Sequence, residues 1–164
     1  MASEEEVKQF RKFFQHSRQD GDRSGNHFSS VGLQVLNIEN GWASMRFESA
    51  DHLAGNPING AVAAGPVIAL LDTCCAMAAA TCGDKIRLSP TLDLRVDFLG
   101  PAKPNLTVYA EAKAYRDSRY VIFTEGMAYQ NDKDKPIARC SINFTPIEHR
   151  ILKDRADAKN SERG

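Results

Sequence analysis

One acidic residue, Asp72, interrupts a long apolar stretch of the sequence. The segment GPVIALLDTCCAMAAA, residues 65–80, contains no other charged side chain. An unpaired carboxylate is costly to bury, so Asp72 must reach a hydrogen-bond donor, a cation or water. Three interpretations are open: a membrane span with a polar defect, a core helix with a paired Asp, or an active site in which Asp72 attacks a carbonyl or activates water.

The composition of the stretch disfavours the membrane interpretation. A span of about 20 apolar residues crosses a bilayer, but residues 61–82 are mostly Ala, Gly and other small residues. A carboxylate near the bilayer centre costs about 2.5–3.5 kcal/mol on insertion scales. We therefore expect a helix buried inside a folded domain, over about residues 66–81. Pro66 is expected at the first helical position, Gly65 as the N-cap and Gly83 at the end.

The start of this helix could bind a carbonyl oxygen. N–H groups in the first helical turn are unpaired and carry partial positive charge. Because Pro66 has no N–H, donation falls to Ala64, Gly65 and Val67, which could hold an oxygen that gains negative charge. A carboxylate near such donors suits attack on a carbonyl, with Asp72 as nucleophile or general base for water.

Two asparagines lie just before the helix. Either amide, of Asn56 or of Asn59, could donate to a substrate or simply form a turn, and the turn is favoured for Asn59 because Gly60 follows it. The histidines are expected at the surface, with none near the helix. Cys74 and Cys75 could act as nucleophiles, but no histidine is evidently placed to activate them.

Composition and charge exclude several classes of protein. Lys plus Arg and Asp plus Glu both number 21, so the formal net charge is zero, and no clustered basic face indicates nucleic-acid binding. The N-terminal segment MASEEEVKQF has no apolar core of a secretory signal. The four cysteines lack metal-ligand spacing and indicate a reducing compartment. We expect a cytoplasmic protein without cofactor, metal or membrane contact.

The remaining segments predict an α+β protein. Ser3 and Glu6 have capping-box spacing at the start of a short helix over about 3–17. Asn40-Gly41 predicts a hairpin between strands at about 32–39 and 42–49. Four more alternating segments follow the central helix, so six mostly antiparallel strands should form a sheet that wraps around that helix.

Three regions are expected along the chain. Residues 1–29 form an N-terminal helix and loop, 30–147 the main domain, and 148–164 a charged tail. Within the strand TLDLRVDF, residues 91–98, alternation places Leu92 and Leu94 on one face and Thr91 on the other, with the charged residues.

The order of these elements resembles the hotdog-fold acyl-CoA thioesterases, and most closely the PaaI-like branch of the 4-hydroxybenzoyl-CoA thioesterase superfamily. The most specific segments are GNPINGAVAAGPVIALLDTCCAMAA, residues 55–79, and SPTLDLRVDFLGPAKP, residues 89–104. The resemblance covers about residues 30–147. It implies a hotdog fold, an antiparallel sheet wrapped around one long central helix, and hydrolysis of an acyl-CoA to the free acid and CoA.

The resemblance also implies roles for individual residues. Asn56 matches a loop Asn and Gly65 the second Gly of a His-Gly-Gly turn at the helix start. Asp72 matches the catalytic carboxylate, and Thr91 a Ser/Thr that orients it. Ala63 and Ala64 replace the usual His and first Gly; Ala64 still supplies a backbone N–H, but Ala63 lacks the histidine side chain.

The family assembles as dimers or dimers of dimers, joined sheet edge to sheet edge, with Asn from one subunit and Asp from the other in each site. The resemblance therefore implies a homodimer or homotetramer. Arg116, Arg119 and Lys103 are candidates to meet the CoA phosphates, or are solvated turn charges.

The alternative to a thioesterase is a non-catalytic acyl-CoA or ligand-binding hotdog protein, since Ala63 and Ala64 depart from the family pattern. A hotdog dehydratase or hydratase ranks last because no histidine is expected near the helix.

Overall fold

The computed structural model describes residues 2–16 and 27–146 of the 164-residue chain. These residues form three α-helices and six strands. In chain order the elements are α1 (Glu4–His16), α2 (His27–Val31), β1 (Gln34–Glu39), β2 (Trp42–Phe47), a 3₁₀ turn (Asp51–Leu53), α3 (Ala64–Thr81), β3 (Thr91–Phe98), β4 (Val108–Asp117), β5 (Ile122–Tyr129) and β6 (Ala138–Phe144).

The six strands form one antiparallel sheet in the order β1-β2-β4-β5-β6-β3. Helix α3 packs on one face of this sheet and contacts every strand. Leu70, Leu71, Cys74 and Ala78 on the helix are fully buried against inward side chains of the strands. The predicted α+β architecture, a sheet around one long central helix, is confirmed.

By length and composition α3 could cross a membrane, and it is the one helix among the described residues that could. In the fold more than half of this helix is buried, because its apolar residues pack against the sheet. The core helix of a folded domain meets the same criteria of length and composition.

The N-terminal helix begins as its sequence predicts. The Ser3 N–H donates to Glu6 Oε2 (2.9 Å), and the Glu6 N–H donates to Ser3 Oγ (3.3 Å), which is the reciprocal pairing of a capping box. The pKa of Glu6 is lowered by these hydrogen bonds from Ser3. Val7 is buried, and α1 lies against β1 at one edge of the sheet.

Helix α2 was not predicted. Its five residues, His27–Val31, cross the expected boundary between residues 29 and 30. A buried Val31 and the half-buried Phe28 anchor this turn to the core, so packing rather than a local start signal defines it. The expected charged tail, 148–164, falls outside the described residues.

The start of α3 differs from the prediction. The N-cap is Ala63, with extended backbone (φ −61°, ψ 155°), so Gly65 is the second helical residue and Pro66 the third. Proline is tolerated there because the first turn lacks intrahelical partners for its N–H groups. The Ala63 N–H donates to Leu53 O (2.8 Å), and this bond to the preceding loop fixes where the helix begins.

Helix α3 also ends in a different way from the one predicted for Gly83. Cys82 is the C-cap, and the next residue, Gly83, does not have the positive φ of a left-handed cap. A Cβ on Gly83 would lie 2.5 Å from Arg87 Nη2. The absence of a side chain at Gly83 therefore allows the close approach of the Arg87 guanidinium, which pairs with Asp117 at 2.6 Å.

A β-bulge in β3 overturns the predicted facing of Thr91. Thr91 pairs with Phe144, but the register shifts before Asp93, which pairs with Asn143. Phe144 faces the core and is fully buried, so Thr91 lies on the helix-facing side of the sheet together with Leu94. Leu92 is the extra residue of the bulge.

The two edges of the sheet differ. Strand β1 is flanked by α1, whereas β3 lies at the other edge with apolar side chains exposed. These are Leu92 (54% exposed), Leu94 (38%) and Phe98 (48%), followed by Leu99 (58%). An open strand edge with apolar side chains is a surface on which a second strand can pair.

Candidate active site

Asp72 and Thr91 form a hydrogen-bonded pair between the central helix and the edge strand. Thr91 Oγ1 donates to Asp72 Oδ1 at 2.9 Å. Asp72 is half-buried and Thr91 is exposed, so the pair is open on one side. The carboxylate therefore has a neutral hydroxyl as its partner, and within the described part of the chain it forms no salt bridge.

The pair lines a groove of about 350 Å³. Side chains from α2, α3 and β3 surround it: His27, Gly65, Ile68, Ala69, Asp72, Thr73, Thr91 and Leu94. The α3 residues recur at helical spacing on the less buried stripe of the helix, which borders α2 and the edge strand β3. The groove is thus mostly apolar, with a carboxylate at one end and the helix start at the other.

Two backbone donors are free at the helix start. The Ala63 N–H is bonded to Leu53 O, and Pro66 has none. Regular α-helical pairing from Ala64 onward commits the Val67 N–H to the Ala63 carbonyl, so Val67 is not a free donor, contrary to the prediction. Among the described residues, the N–H groups of Ala64 and Gly65 remain available to a ligand.

These donors and Asp72 lie far apart within one chain. Seven residues separate Gly65 from Asp72, which corresponds to about 10 Å along the helix axis. The N–H bonds also point towards the N-terminus, away from Asp72. One helix therefore cannot direct both its first-turn N–H groups and Asp72 at the same carbonyl group.

The two asparagines of the preceding loop stabilise turns. Asn56 Oδ1 accepts from the Ile58 N–H (2.8 Å), and Asn59 Oδ1 accepts from the Ala61 N–H (3.0 Å). Neither residue lines the groove beside Asp72. The structure therefore brings Asp72 and Thr91 into contact, places Gly65 in the same groove about 10 Å along the helix, and leaves Asn56 and Asn59 on the loop.

The predicted CoA-binding cations also lie outside the groove. Arg116 is exposed near the end of β4, and Arg119 stacks on the Tyr120 ring at 5.2 Å in the β4–β5 turn. Lys103 is exposed and its backbone N–H donates to Gln130 Oε1 (2.9 Å). These positions match solvated surface charges at least as well as a phosphate site.

His27 is the residue that the sequence prediction missed. It begins α2 and lines the groove that contains Asp72, so the expectation that no histidine lies near the helix is wrong. No local signal placed it there, because the contact depends on how α2 packs on α3. His52 instead lies with Nε2 3.2 Å from Ser30 O, away from the groove.

The buried thiols are poor nucleophile candidates. Burial raises the pKa of Cys74 far above its ordinary value, and a hydrogen bond with Cys140 together with burial raises the pKa of Cys75. Both thiols stay protonated near neutral pH, and only the thiolate is nucleophilic. Across residues 2–16 and 27–146, no His, Cys, Asp or Glu side chains form a group of three that could hold a metal ion.

A second cavity, of about 300 Å³, lies on the outer face of the sheet. Trp42, Met127 and the Lys113–Glu125 ion pair (2.9 Å) are among its lining residues. Three of its four charged side chains form ion pairs, Lys113 with Glu125 and Glu111 with Lys133 outside the lining. The cavity contains none of the residues singled out from the sequence. The Asp72 groove is therefore the candidate active site.

Comparison with known proteins identifies the family. The thioesterase superfamily model matches residues 59–137, a range that includes α3 and strands β3, β4 and β5. A Pseudomonas aeruginosa protein of known structure is 32% identical, with a TM-score of 0.70; the match covers 86% of this chain and 98% of that one.

Two further structures are similar. A mutant of the phenylacetic acid degradation protein PaaI from Thermus thermophilus is 26% identical over 73% of this chain and 97% of that one, with a TM-score of 0.63. A Streptococcus mutans protein solved with acetyl-CoA is 16% identical over 70% and 88%, with a TM-score of 0.62, and shows similarity of fold alone. No curated protein matches the chain. The chain belongs to the thioesterase superfamily, as a hotdog-fold protein similar to PaaI.

Proposed function

We propose that the protein hydrolyses an acyl-CoA thioester to the free acid and CoA, with Asp72 as the essential carboxylate. The open Asp72–Thr91 pair carries the proposal. Its carboxylate faces a mostly apolar groove, and among residues 2–16 and 27–146 no cationic side chain pairs with it. Thr91 holds Oδ1, and Oδ2 would act on a substrate or a water molecule.

Two routes are consistent with this arrangement. As a general base, Asp72 takes a proton from water while the water oxygen bonds to the thioester carbon. As a nucleophile, Asp72 bonds to that carbon directly and forms an anhydride that water then cleaves. In both routes the carbonyl oxygen becomes negative, the C–S bond breaks when the carbonyl re-forms, and the CoA sulfur leaves and takes up a proton.

The oxygen that becomes negative needs donors that Asp72's own helix cannot provide. The free N–H groups of Ala64 and Gly65 suit this role, but they lie about 10 Å from Asp72 in the same helix. We therefore propose a homodimer, or a homotetramer built from it, in which the helix start of one copy meets Asp72 of the other. Asn56 and Asn59 would approach the site from that second copy.

Strand β3 is the edge that we propose for pairing. Its apolar side chains are exposed. Its helix-facing side borders the groove, so a partner strand paired here would lie next to the site. Antiparallel pairing with a second β3 would cover these side chains and join two sheets about a twofold axis. The groove would then be completed by the partner.

The proposed substrate class, acyl-CoA thioesters, rests on the family match and on the side chains that line the groove. A related fold holds acetyl-CoA, and the groove walls formed by Ile68, Ala69 and Leu94 suit an apolar acyl group. We propose Arg116 and Arg119 as the residues that bind the CoA phosphates.

We also propose a cytoplasmic location, which is consistent with four unpaired cysteines.

The experiment is hydrolysis of an acyl-CoA panel by wild type and by Asp72→Asn. We expect a loss of at least about a hundredfold in kcat, the scale of general acid–base catalysis. Asp132→Asn is the matched control, because Asp132 is an exposed carboxylate in the turn between β5 and β6, paired with Lys135 and outside both the groove and β3. Equal turnover by wild type and Asp72→Asn would overturn the proposed role.

A non-catalytic acyl-CoA-binding protein is the second candidate. The observation that favours it is the helix start, where Ala63 provides no side-chain hydrogen bond. Binding of acyl-CoA by the wild type, with no hydrolysis across the panel, would select this candidate over the enzyme.

A further inference from the structure

Four polar side chains line the Asp72 groove, and three of them are engaged. Asp72 and Thr91 bond to each other at 2.9 Å, and Thr73 Oγ1 donates to Ala69 O at 2.7 Å within its own helix. His27 is exposed, and within the described part of the chain its ring makes no hydrogen bond. It is therefore the one lining side chain with both a donor and an acceptor to offer.

The position of His27 is set by its neighbours. Phe28, the next residue, packs against the core, and its carbonyl accepts from the Leu33 N–H at 3.1 Å. Helix α2 thereby holds His27 beside the α3 stripe that carries Gly65, Ile68 and Asp72. An acyl group whose carbonyl carbon lies at Asp72 would extend along this stripe, over Ile68, towards the imidazole.

The chemistry of the groove restricts what such an acyl group can carry. Neutral imidazole donates from one ring nitrogen and accepts at the other, so it can bond either a hydroxyl or a keto oxygen. A carboxylate on the acyl group would meet the like charge of Asp72 in the same groove. The apolar walls favour a carbon chain between the two ends.

Resting on the proposed thioesterase function, we propose that His27 is a specificity-determining residue. It selects acyl groups that carry a neutral oxygen substituent, a hydroxyl or a keto group, over the corresponding unsubstituted acyl groups. One neutral hydrogen bond corresponds to a preference of about threefold to tenfold.

The test uses substrate pairs that differ by one oxygen: hexanoyl-CoA with 5-hydroxyhexanoyl-CoA, whose hydroxyl reaches past Ile68 towards His27, and hexanoyl-CoA with 5-oxohexanoyl-CoA, which carries a keto group at the same carbon. The ratio of kcat/KM within each pair is measured for wild type, His27→Leu and His27→Gln. Leucine removes both hydrogen-bonding groups, whereas glutamine keeps a donor and an acceptor. Calorimetry measures the dissociation constants of the same pairs for Asp72→Asn, so that the preference within each pair is obtained without hydrolysis.

We expect wild type to prefer the hydroxy or keto member of a pair by about threefold to tenfold, His27→Leu to lose this preference and His27→Gln to keep part of it. A ratio unchanged by His27→Leu, or a wild type that prefers the unsubstituted acyl group, overturns the proposal for His27. If the preference appears in binding to Asp72→Asn but wild type hydrolyses nothing, the inference about His27 holds and the proposed catalysis fails.

Discussion

Thr91 Oγ1 lies 2.9 Å from Asp72 Oδ1, although Thr91 belongs to an edge strand whose alternation would turn it away from the helix. The β-bulge at Leu92 brings Thr91 to the helix-facing side. The added residue of a bulge re-aims the side chain that precedes it. The hydroxyl then restricts the rotation of the carboxylate in an otherwise apolar groove.

Thr91→Val should lower kcat by about tenfold with little change in KM, because it removes a charge-assisted hydrogen bond that orients Asp72. Thr91→Ser keeps the hydroxyl and should retain most of the activity. Steady-state kinetics on one acyl-CoA substrate measures both. Equal kcat for wild type and the valine variant would contradict the orienting role.

Mixing two inactive variants should restore activity if the site is shared between copies. Ala64→Pro removes a helix-start donor, and the helix tolerates it because proline suits the first helical position and Ala63 is extended. We expect a loss of about a hundredfold or more. Ala64→Ser keeps the N–H and is the control.

Dimers formed at random from Ala64→Pro and Asp72→Asn chains should recover about a quarter of wild-type activity. Half of these dimers are mixed, and each mixed dimer has one intact site of two. Refolding the chains together and assaying the mixture measures this. Activity no higher than the residual rates of the two parents would contradict a shared site.

A positive charge on the exposed edge strand β3 should dissociate the proposed dimer. Leu92→Lys places an ammonium on the exposed edge of β3, where it would repel its counterpart across a twofold pairing and disfavour burial. We expect a shift towards monomer in light scattering and a parallel loss of activity. Tyr120→Lys, at an exposed position in the turn between β4 and β5 and outside the edge strand, should leave the assembly intact. An assembly unaffected by Leu92→Lys would exclude β3 as the interface.

Gly126→Ala should destabilise the fold by about 1–3 kcal/mol through overpacking. The added Cβ would lie 3.1 Å from Cys140 Sγ, 3.1 Å from Glu111 O and 3.2 Å from Cys75 Sγ. In denaturant unfolding, Cys140→Ala should cost less in the Gly126→Ala background than in wild type, because it removes one of these contacts. Strict additivity of the two changes would contradict the packing argument.

Stability should fall at high pH because of Tyr129. Burial and a hydrogen bond to Glu111 raise the pKa of Tyr129 to about 12, whereas an unfolded tyrosine titrates near 10. Its contribution to the free energy of unfolding is therefore fully present below pH of about 10 and is lost as pH rises towards about 12.

Urea unfolding of wild type and Tyr129→Phe from pH 8 to 11 measures this contribution. The stability difference between them should shrink above pH of about 10, and Tyr120→Phe, at an exposed position, should show no such trend. A difference that stays constant across this range would contradict the linkage.

The sequence by itself determined α1, α3, the six strands and the candidate carboxylate, but not α2. The Ser3–Glu6 pairing is local in the chain, and so is the Asn40-Gly41 turn, where Gly41 adopts a positive φ of 69°. The continuous apolar run over residues 65–80 likewise marked the central helix, and the single charge in that run marked Asp72. Such signals depend on neighbouring residues, so they can be interpreted without the fold.

Tertiary structure alone decided which groups meet Asp72. The bulge that turns Thr91 inward depends on the pairing of β3 with β6, and His27 reaches the groove because α2 packs on α3. The loop bond from Ala63 to Leu53 O moved the helix start upstream of its local signals. These are contacts between residues distant in sequence, and their geometry is set by packing of the whole sheet and helix, which no short window of residues encodes.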